Sequence, residues 1–220
     1  DSKITVKSVV KEIQKEISSV KIKVVQHKKN CSLLEARRTG FLNSSGKFIT
    51  FVDSDDELLP NALSVMYENA IKNNADIVHC NSQITFKDDE KDFIRQEITS
   101  KVQQVKNGIL ENSEIMHSFM FKSKKSHNGF VWAKLYSRDL VNQVFNEVPM
   151  MYCTLGEDLC LSFFFNLFAI NYVGISQENV YKYNYVTGIS VYRKNILPKQ
   201  FEQSCSVSSV FTILFSYLND

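Results

Sequence analysis

The sequence predicts an α/β protein in which a mostly parallel sheet carries helices on both faces. Three observations lead there. Segments with helical apolar spacing alternate with short β-rich runs through residue 86, and such alternation implies right-handed crossovers between parallel strands. The run 48-FITFV-52 has the unbroken apolar character of a fully buried strand. An acidic cluster, 53-DSDD-56, follows directly, at the carboxyl end of a strand, where open sheets bind ligands.

The elements follow in order. Val6, Val9, Val10, Ile13 and Ile17 recur at helical spacing and predict an amphipathic helix over 4–18. Apolar residues alternate with lysines in 20-VKIKVV-25, as in a half-buried strand. Residues 32–46 read as a helix with Ser32 at its N-cap and Gly46 closing the segment. After the acidic cluster, Pro60 suits a first helical position, and Leu63, Met66, Tyr67 and Ala70 mark the helix. Residues 77–86 form the next strand, and 87-KDDEKD-92 reads as a solvated hairpin tip. Beyond it, 112–121 reads as a helix and 122-KSKKSHNG-129 as a basic loop. Ser137 can cap a helix running through Val144. Residues 156-GED-158 precede a phenylalanine-rich helix, and strands are predicted at 171–176 and 180–185.

The 220 residues, 44% hydrophobic and 23% charged, suit one large domain or a domain with an appendage. A net charge of +2 argues against a nucleic-acid partner. The five cysteines form no C-x-x-C pair, which predicts free, mostly buried thiols in a reducing compartment. The four histidines are dispersed, so no Cys/His metal site is expected. The longest apolar run, 159–170, is too short to span a bilayer.

Three carboxylates in four positions repel one another unless a cation offsets them. Capping and solubility are one reading of 53-DSDD-56. The other is a Mg²⁺ or Mn²⁺ site, since hard cations take one or two carboxylates together with substrate phosphates.

The run 36-ARRTGFLNSSGKFITFVDSDDELLPNAL-63 resembles the family 2 glycosyltransferases, which have the GT-A fold. The family pattern is Ala-Arg-Asn-x-Gly, a short helix, Gly-x-Tyr/Phe-Ile, and an apolar strand ending in Asp-x-Asp-Asp with a Pro soon after. This chain matches at Ala36, Arg37, Gly40, Gly46, Phe48, Ile49, Asp53–Asp56 and Pro60, and departs at Arg38, where the family usually has Asn. Three further blocks agree in order: 131-VWAKLYSRDLV-141, 156-GEDLCLSFFF-165 and 181-YKYNYVTGIS-190. Together they cover 20–190.

The resemblance implies transfer of a sugar from a nucleotide-diphosphate donor, with a UDP-sugar favoured, to an acceptor hydroxyl with inversion. It implies Mn²⁺ or Mg²⁺ on Asp55, with Asp53 on the ribose or in the metal shell, and Asp158 as general base. Glu157 would orient the acceptor or brace the site. Trp132 is open between core and sugar pocket, and Lys134 between a phosphate and an apolar surface. Two partners are open to Arg37: the donor's phosphates or a carboxylate of the acidic cluster. Tyr181 and Tyr183 read as sheet residues. The resemblance divides the chain into a nucleotide-sugar and metal half (1–86), an acceptor-side half (87–193) and a C-terminal helical extension (194–220). It further implies a glycan or lipid-linked acceptor in surface polysaccharide or lipopolysaccharide synthesis, at a cytoplasmic location on the inner face of a membrane, where 122-KSKK-125 offers a peripheral contact.

The family's opening, an apolar strand followed by Pro-x-Tyr/Phe-Asn, holds the nucleobase and is not among these residues; the chain starts at Asp1 rather than Met. The expectation is a fragment or a divergent member, so a non-catalytic, partner-binding GT-A domain is the second reading. A nucleotidyltransferase would want a Gly-rich phosphate loop near the start, which the sequence does not show.

Overall fold

The computed structural model describes residues 6–17, 19–121, 126–186 and 197–219. The helices are α1 (Val6–Glu16), α2 (Ser32–Leu42), α3 (Ala62–Asn73), α4 (Asp92–Val102), α5 (Ser113–Met120), α6 (Arg138–Glu147), α7 (Glu157–Phe168) and α8 (Leu197–Asn219). The strands are β1 (Phe48–Ile49), β2 (Glu57–Leu58), β3 (Ile77–Thr85), β4 (Gly108–Glu111), β5 (Lys134–Ser137) and β6 (Asn171–Asn184).

One sheet runs in the order β1-β5-β3-β6-β2, and β4 pairs with the first residues of β6. The α/β expectation holds, with the sheet mixed rather than mostly parallel. Only β3 and β6 run parallel; β1–β5, β3–β5, β2–β6 and β4–β6 are antiparallel. Alternating elements fix neither strand order nor direction. The chain between β3 and β6 is long enough for a parallel crossover, and β5, which lies within that stretch, returns along the other edge of β3. The predicted strands at 171–176 and 180–185 are one strand, β6, whose pairing with β3 shifts register around Asn81.

The sheet is covered on both faces, as alternating side chains require. Ile77, Tyr136 and Tyr172 join a core with residues of α2, α5, α6, α7 and α8. Their neighbours Val78, Leu135 and Val173 join a second core with Ala62, Met66 and Ala70 of α3. Gly174 is required where β4 joins β6, because a Cβ there would lie 1.7 Å from the Lys106 carbonyl oxygen.

Several local expectations change. The segment 20–25 pairs with no described strand, and Val20, Val24 and Val25 are exposed; alternation makes a strand only where a neighbour supplies hydrogen bonds. The run 48–52 forms a ladder only at Phe48–Ile49, and its burial alternates rather than being complete. Ser32 is not the N-cap of α2. It has φ +77 and its N–H donates to Asn30 Oδ1 at 2.8 Å, while Cys31 holds the cap position. The α3 helix starts at Ala62, after Pro60, and leaves Leu63 and Tyr67 exposed. Residues 87–92 turn from β3 into α4 rather than into a hairpin; Arg95 donates to the carbonyls of Lys87, Asp88 and Glu90 and closes the turn. Residues 122–125 of the basic loop lie outside the described residues, whereas Ser126, His127 and Asn128 are buried. The Ser137 cap forms as expected, its Oγ accepting from Leu140 N at 3.3 Å.

All five cysteines are free, and Cys80, Cys153 and Cys160 are buried. Among the described residues no helix is long and apolar enough to cross a membrane.

Candidate active site

Three elements meet at Arg37. Helix α2 presents its guanidinium, the loop after β1 presents Asp53, and the first turn of α7 presents Glu157 and Asp158. Arg37 Nη2 lies 3.0 Å from Asp53 Oδ1, while Nη1 lies 2.5 Å from Asp158 Oδ1 and 3.7 Å from Glu157 Oε1. The Arg37 side chain is 5% exposed and Asp158 a quarter exposed. Of the two partners left open to Arg37, the structure shows the carboxylate of the acidic cluster, Asp53. Arg37 also reaches the second acidic block, which the sequence places far downstream.

The local sequence explains this convergence. Gly156 takes φ +94, a conformation that glycine adopts without strain, and turns the chain into α7. Glu157 and Asp158 then occupy the first turn, where the helix dipole favours negative charge. Arg38, the departure from the family pattern, points away from the site. It is buried, pairs with Glu35 at 3.1 Å, and donates to the carbonyls of Phe145, Val148 and Pro149. Glu35 in turn accepts from Met151 N at 3.2 Å. These contacts fasten α2 to the segment that leads to Gly156. Adjacent arginines therefore divide the work, Arg38 holding the frame and Arg37 the carboxylates.

Burial pushes the Asp158 carboxyl above its ordinary range, against the pull of Arg37. Glu157 is raised by burial and by the neighbouring Asp158. Burial works against the Arg37 charge, but Asp158, Asp53 and Glu157 outweigh it and raise its pKa further.

The other predicted residues are placed differently. Trp132 is 3% exposed and belongs to the core, stacked on Phe130, Tyr181 and Tyr183 with centroids 4.6, 4.8 and 5.1 Å away. Lys134 is 3% exposed; its Nζ donates to Asn128 Oδ1 at 2.9 Å and to the Phe130 carbonyl. Burial pushes it down to about 7, with Asp158 pulling it back up. Neither side chain joins the Arg37 cluster by direct contact, although Lys134 acts electrostatically on Asp158.

Sequence reasoning missed what holds the acidic loop. Tyr181 Oη accepts from Asp53 N at 3.1 Å and donates to Asp56 Oδ2 at 2.8 Å. Asn184 donates through its N to Asp56 Oδ1 and through its Nδ2 to the Asp55 carbonyl, both at 2.7 Å. Tyr181 is a sheet residue as predicted, and its hydroxyl braces the loop as well. The one available signal was its place in the aromatic block that follows the acidic ones.

Among the described residues no group of three or more His, Cys, Asp or Glu side chains is gathered as a metal site. Asp53 faces Arg37 and Asp56 faces Tyr181 and Asn184, whereas Asp55 is exposed and its carboxylate forms no ion pair or hydrogen bond shown among the described residues, acting on Asp56 and Tyr183 only through its charge. The residues present therefore fit a cation held by one protein carboxylate and completed by ligand oxygens, which is a common Mg²⁺ arrangement. They do not fit a cage made by protein alone.

The Glycosyl transferase family 2 profile matches residues 1–145. The chain is 26% identical over 170 residues to YibD, an uncharacterised glycosyltransferase of Escherichia coli (strain K12), covering 76% of this chain and 46% of YibD. It is 30% identical over 156 residues to the glycosyltransferase GlyA of Streptococcus pneumoniae serotype 4, covering 67% of this chain and 20% of GlyA. The chain thus spans less than half the length of either relative. The crystal structure of S. aureus TarS 1-349 in complex with UDP-GlcNAc superposes with a TM-score of 0.63 at 16% identity, covering 98% of this chain and 62% of that one. That likeness establishes the fold as GT-A. With the profile match over more than half its length, the chain belongs to glycosyl transferase family 2.

Proposed function

We propose that this chain carries the donor and catalytic groups of an inverting glycosyltransferase that uses a nucleotide-diphosphate sugar. The carrying observation is the Arg37 bridge, which holds the donor-side Asp53 and the base candidate Asp158 on one guanidinium. TarS, a structural neighbour, was crystallised with UDP-GlcNAc, which favours a UDP-sugar.

In this reading Asp55 binds the donor's cation, and a bound Mg²⁺ or Mn²⁺ would offset the charge of the departing diphosphate. Asp158 takes the proton of the acceptor hydroxyl as the new bond forms. Its raised pKa suits that task, because a base works best when its pKa approaches the operating pH. Arg37 occupies Asp158 Oδ1, which leaves Oδ2 to the acceptor. One base facing a single displacement gives inversion at the anomeric carbon. Glu157 braces Arg37 and orients the acceptor, while Trp132 and Lys134 support the acceptor side from within. The acceptor is a glycan or lipid-linked glycan of the cell surface, and the enzyme works at the cytoplasmic face of the membrane.

In the full-length protein, Asp158→Asn should cut UDP release from a UDP-sugar by about 10²–10⁴-fold. Calorimetry should find its Mn²⁺-dependent UDP binding unchanged. A well-folded wild-type protein that binds no UDP in Mn²⁺ would overturn the reading and favour a non-catalytic GT-A domain.

A further inference from the structure

The acidic loop is gripped from below by the end of β6. Its turn closes on itself through Asp56 N donating to Asp53 O at 3.1 Å. One hydroxyl, that of Tyr181, contacts both ends of this turn, accepting from Asp53 N and donating to Asp56 Oδ2. Asn184 takes the other oxygen of Asp56 and also the Asp55 carbonyl. The backbone is thus pinned before, at and after Asp55, whose own side chain is exposed.

The clamp is itself immobilised. Tyr181 is fully buried, and its ring lies at 12° to Trp132 with centroids 4.8 Å apart. Tyr181 and Lys182 pair with Leu58 and Glu57, the two residues that follow the loop. Stacking from the core and a ladder beside the loop leave the hydroxyl little freedom.

We propose that Tyr181 and Asn184 are positioning residues that aim Asp55 outward, and that Asp56 serves as their tether rather than as a ligand of the donor. A carboxylate that accepts both a hydroxyl and a backbone amide is engaged at both oxygens. Its role in the acidic motif is to join the loop to β6. The aromatic block of the sequence thereby acts on the donor through Asp55, without touching it. This inference rests on the donor-site reading above.

Tyr181→Phe keeps the ring and its stack and removes only the hydroxyl. In the full-length protein it should raise the Kd of UDP in Mn²⁺, and the donor KM, by about tenfold, the scale of one lost hydrogen bond to a charged group. At saturating donor, kcat should hold within about threefold, a split that a general loss of folding would not produce. Asn184→Ala, which spares the core, should act in the same direction. Combined with Asp55→Ala, Tyr181→Phe should add little, because it works through Asp55. A wild-type Kd in Tyr181→Phe, or effects that multiply in the double variant, would overturn the proposal. Hydrogen exchange over residues 51–58 needs no donor and should quicken in Tyr181→Phe; unchanged protection overturns the clamp. If wild-type protein binds no UDP, the donor reading fails by itself and the exchange result alone decides the clamp.

Discussion

Arg37 and Lys134 are buried to nearly the same degree and end in opposite states. The Arg37 side chain is 5% exposed and meets three carboxylates. Lys134 is 3% exposed and meets only neutral oxygens, those of Asn128 and Phe130. Burial pushes its pKa down to about 7, and after burial its charge is the next cause that depresses the buried His79 and His127, the latter to about 4. Burial alone therefore does not decide whether a cation survives inside this protein. The partners decide. A guanidinium does not surrender its proton and has a planar fork for several carboxylates. An ammonium can lose its proton, and neutral acceptors hold it only weakly. The fixed charge beside Asp158 is thus that of Arg37, with Lys134 as a weaker contributor that varies with pH.

The largest effect is expected from Arg37→Met. It leaves Asp53, Glu157 and Asp158 facing one another without a counter-ion, and breaking such a buried pair costs about 3–5 kcal/mol. Urea unfolding at pH 7 measures this, and a cost no greater than that of Lys134→Met would break the comparison.

Lys134→Met should cost less, about 1–3 kcal/mol at pH 6, because three oxygens lose their donor. Its pH dependence is the sharper test. The folded pKa of Lys134, about 7, lies below the unfolded value of about 10.4. Above pH 7 the unfolded chain therefore holds a proton that the folded chain has released, so stability rises with pH. Wild type should gain roughly 2 kcal/mol between about pH 7 and 8.5 relative to Lys134→Met. Above that window the buried thiols of Cys80, Cys153 and Cys160, pushed up to about 12, 11 and 12, act in the opposite direction. Parallel curves for the two proteins would show that Lys134 keeps its proton.

The smallest effect on stability belongs to Asp55→Ala. The side chain is exposed and acts on its neighbours Asp56 and Tyr183 only through its charge, so the change should stay within about 0.5 kcal/mol. Its UDP binding should nevertheless lose its dependence on Mn²⁺, which calorimetry with and without the cation reads directly.

Much of this was legible in short stretches. The Ser137 cap formed where its residues predicted, and the phenylalanine-rich α7 formed with Glu157 and Asp158 taken into its first turn rather than ahead of it. Both acidic blocks were found by sequence. Their convergence was not, since the ion pair from Arg37 to Asp158 joins residues separated by most of the fold. The 20–25 segment failed for the complementary reason. Its alternation is sound, but a strand also needs a neighbour, and no described strand lies beside it. Arg38 read as a departure from the family pattern, and only its contacts with Phe145, Val148 and Pro149 reveal a bracing role.

The sequence by itself determined the family, the α/β class, the helices with clear caps or turns, and the identity of the acidic residues. These depend on residue type and on spacing within a turn or two of chain. The tertiary structure decided the strand directions, the carboxylates that Arg37 holds, the burial of Trp132 and Lys134, and the oxygens of 53-DSDD-56 that stay open. Each of those depends on distant segments competing for the same space and the same hydrogen bonds. That competition leaves Asp53 to Arg37, Asp56 to Tyr181 and Asn184, and Asp55 facing solvent.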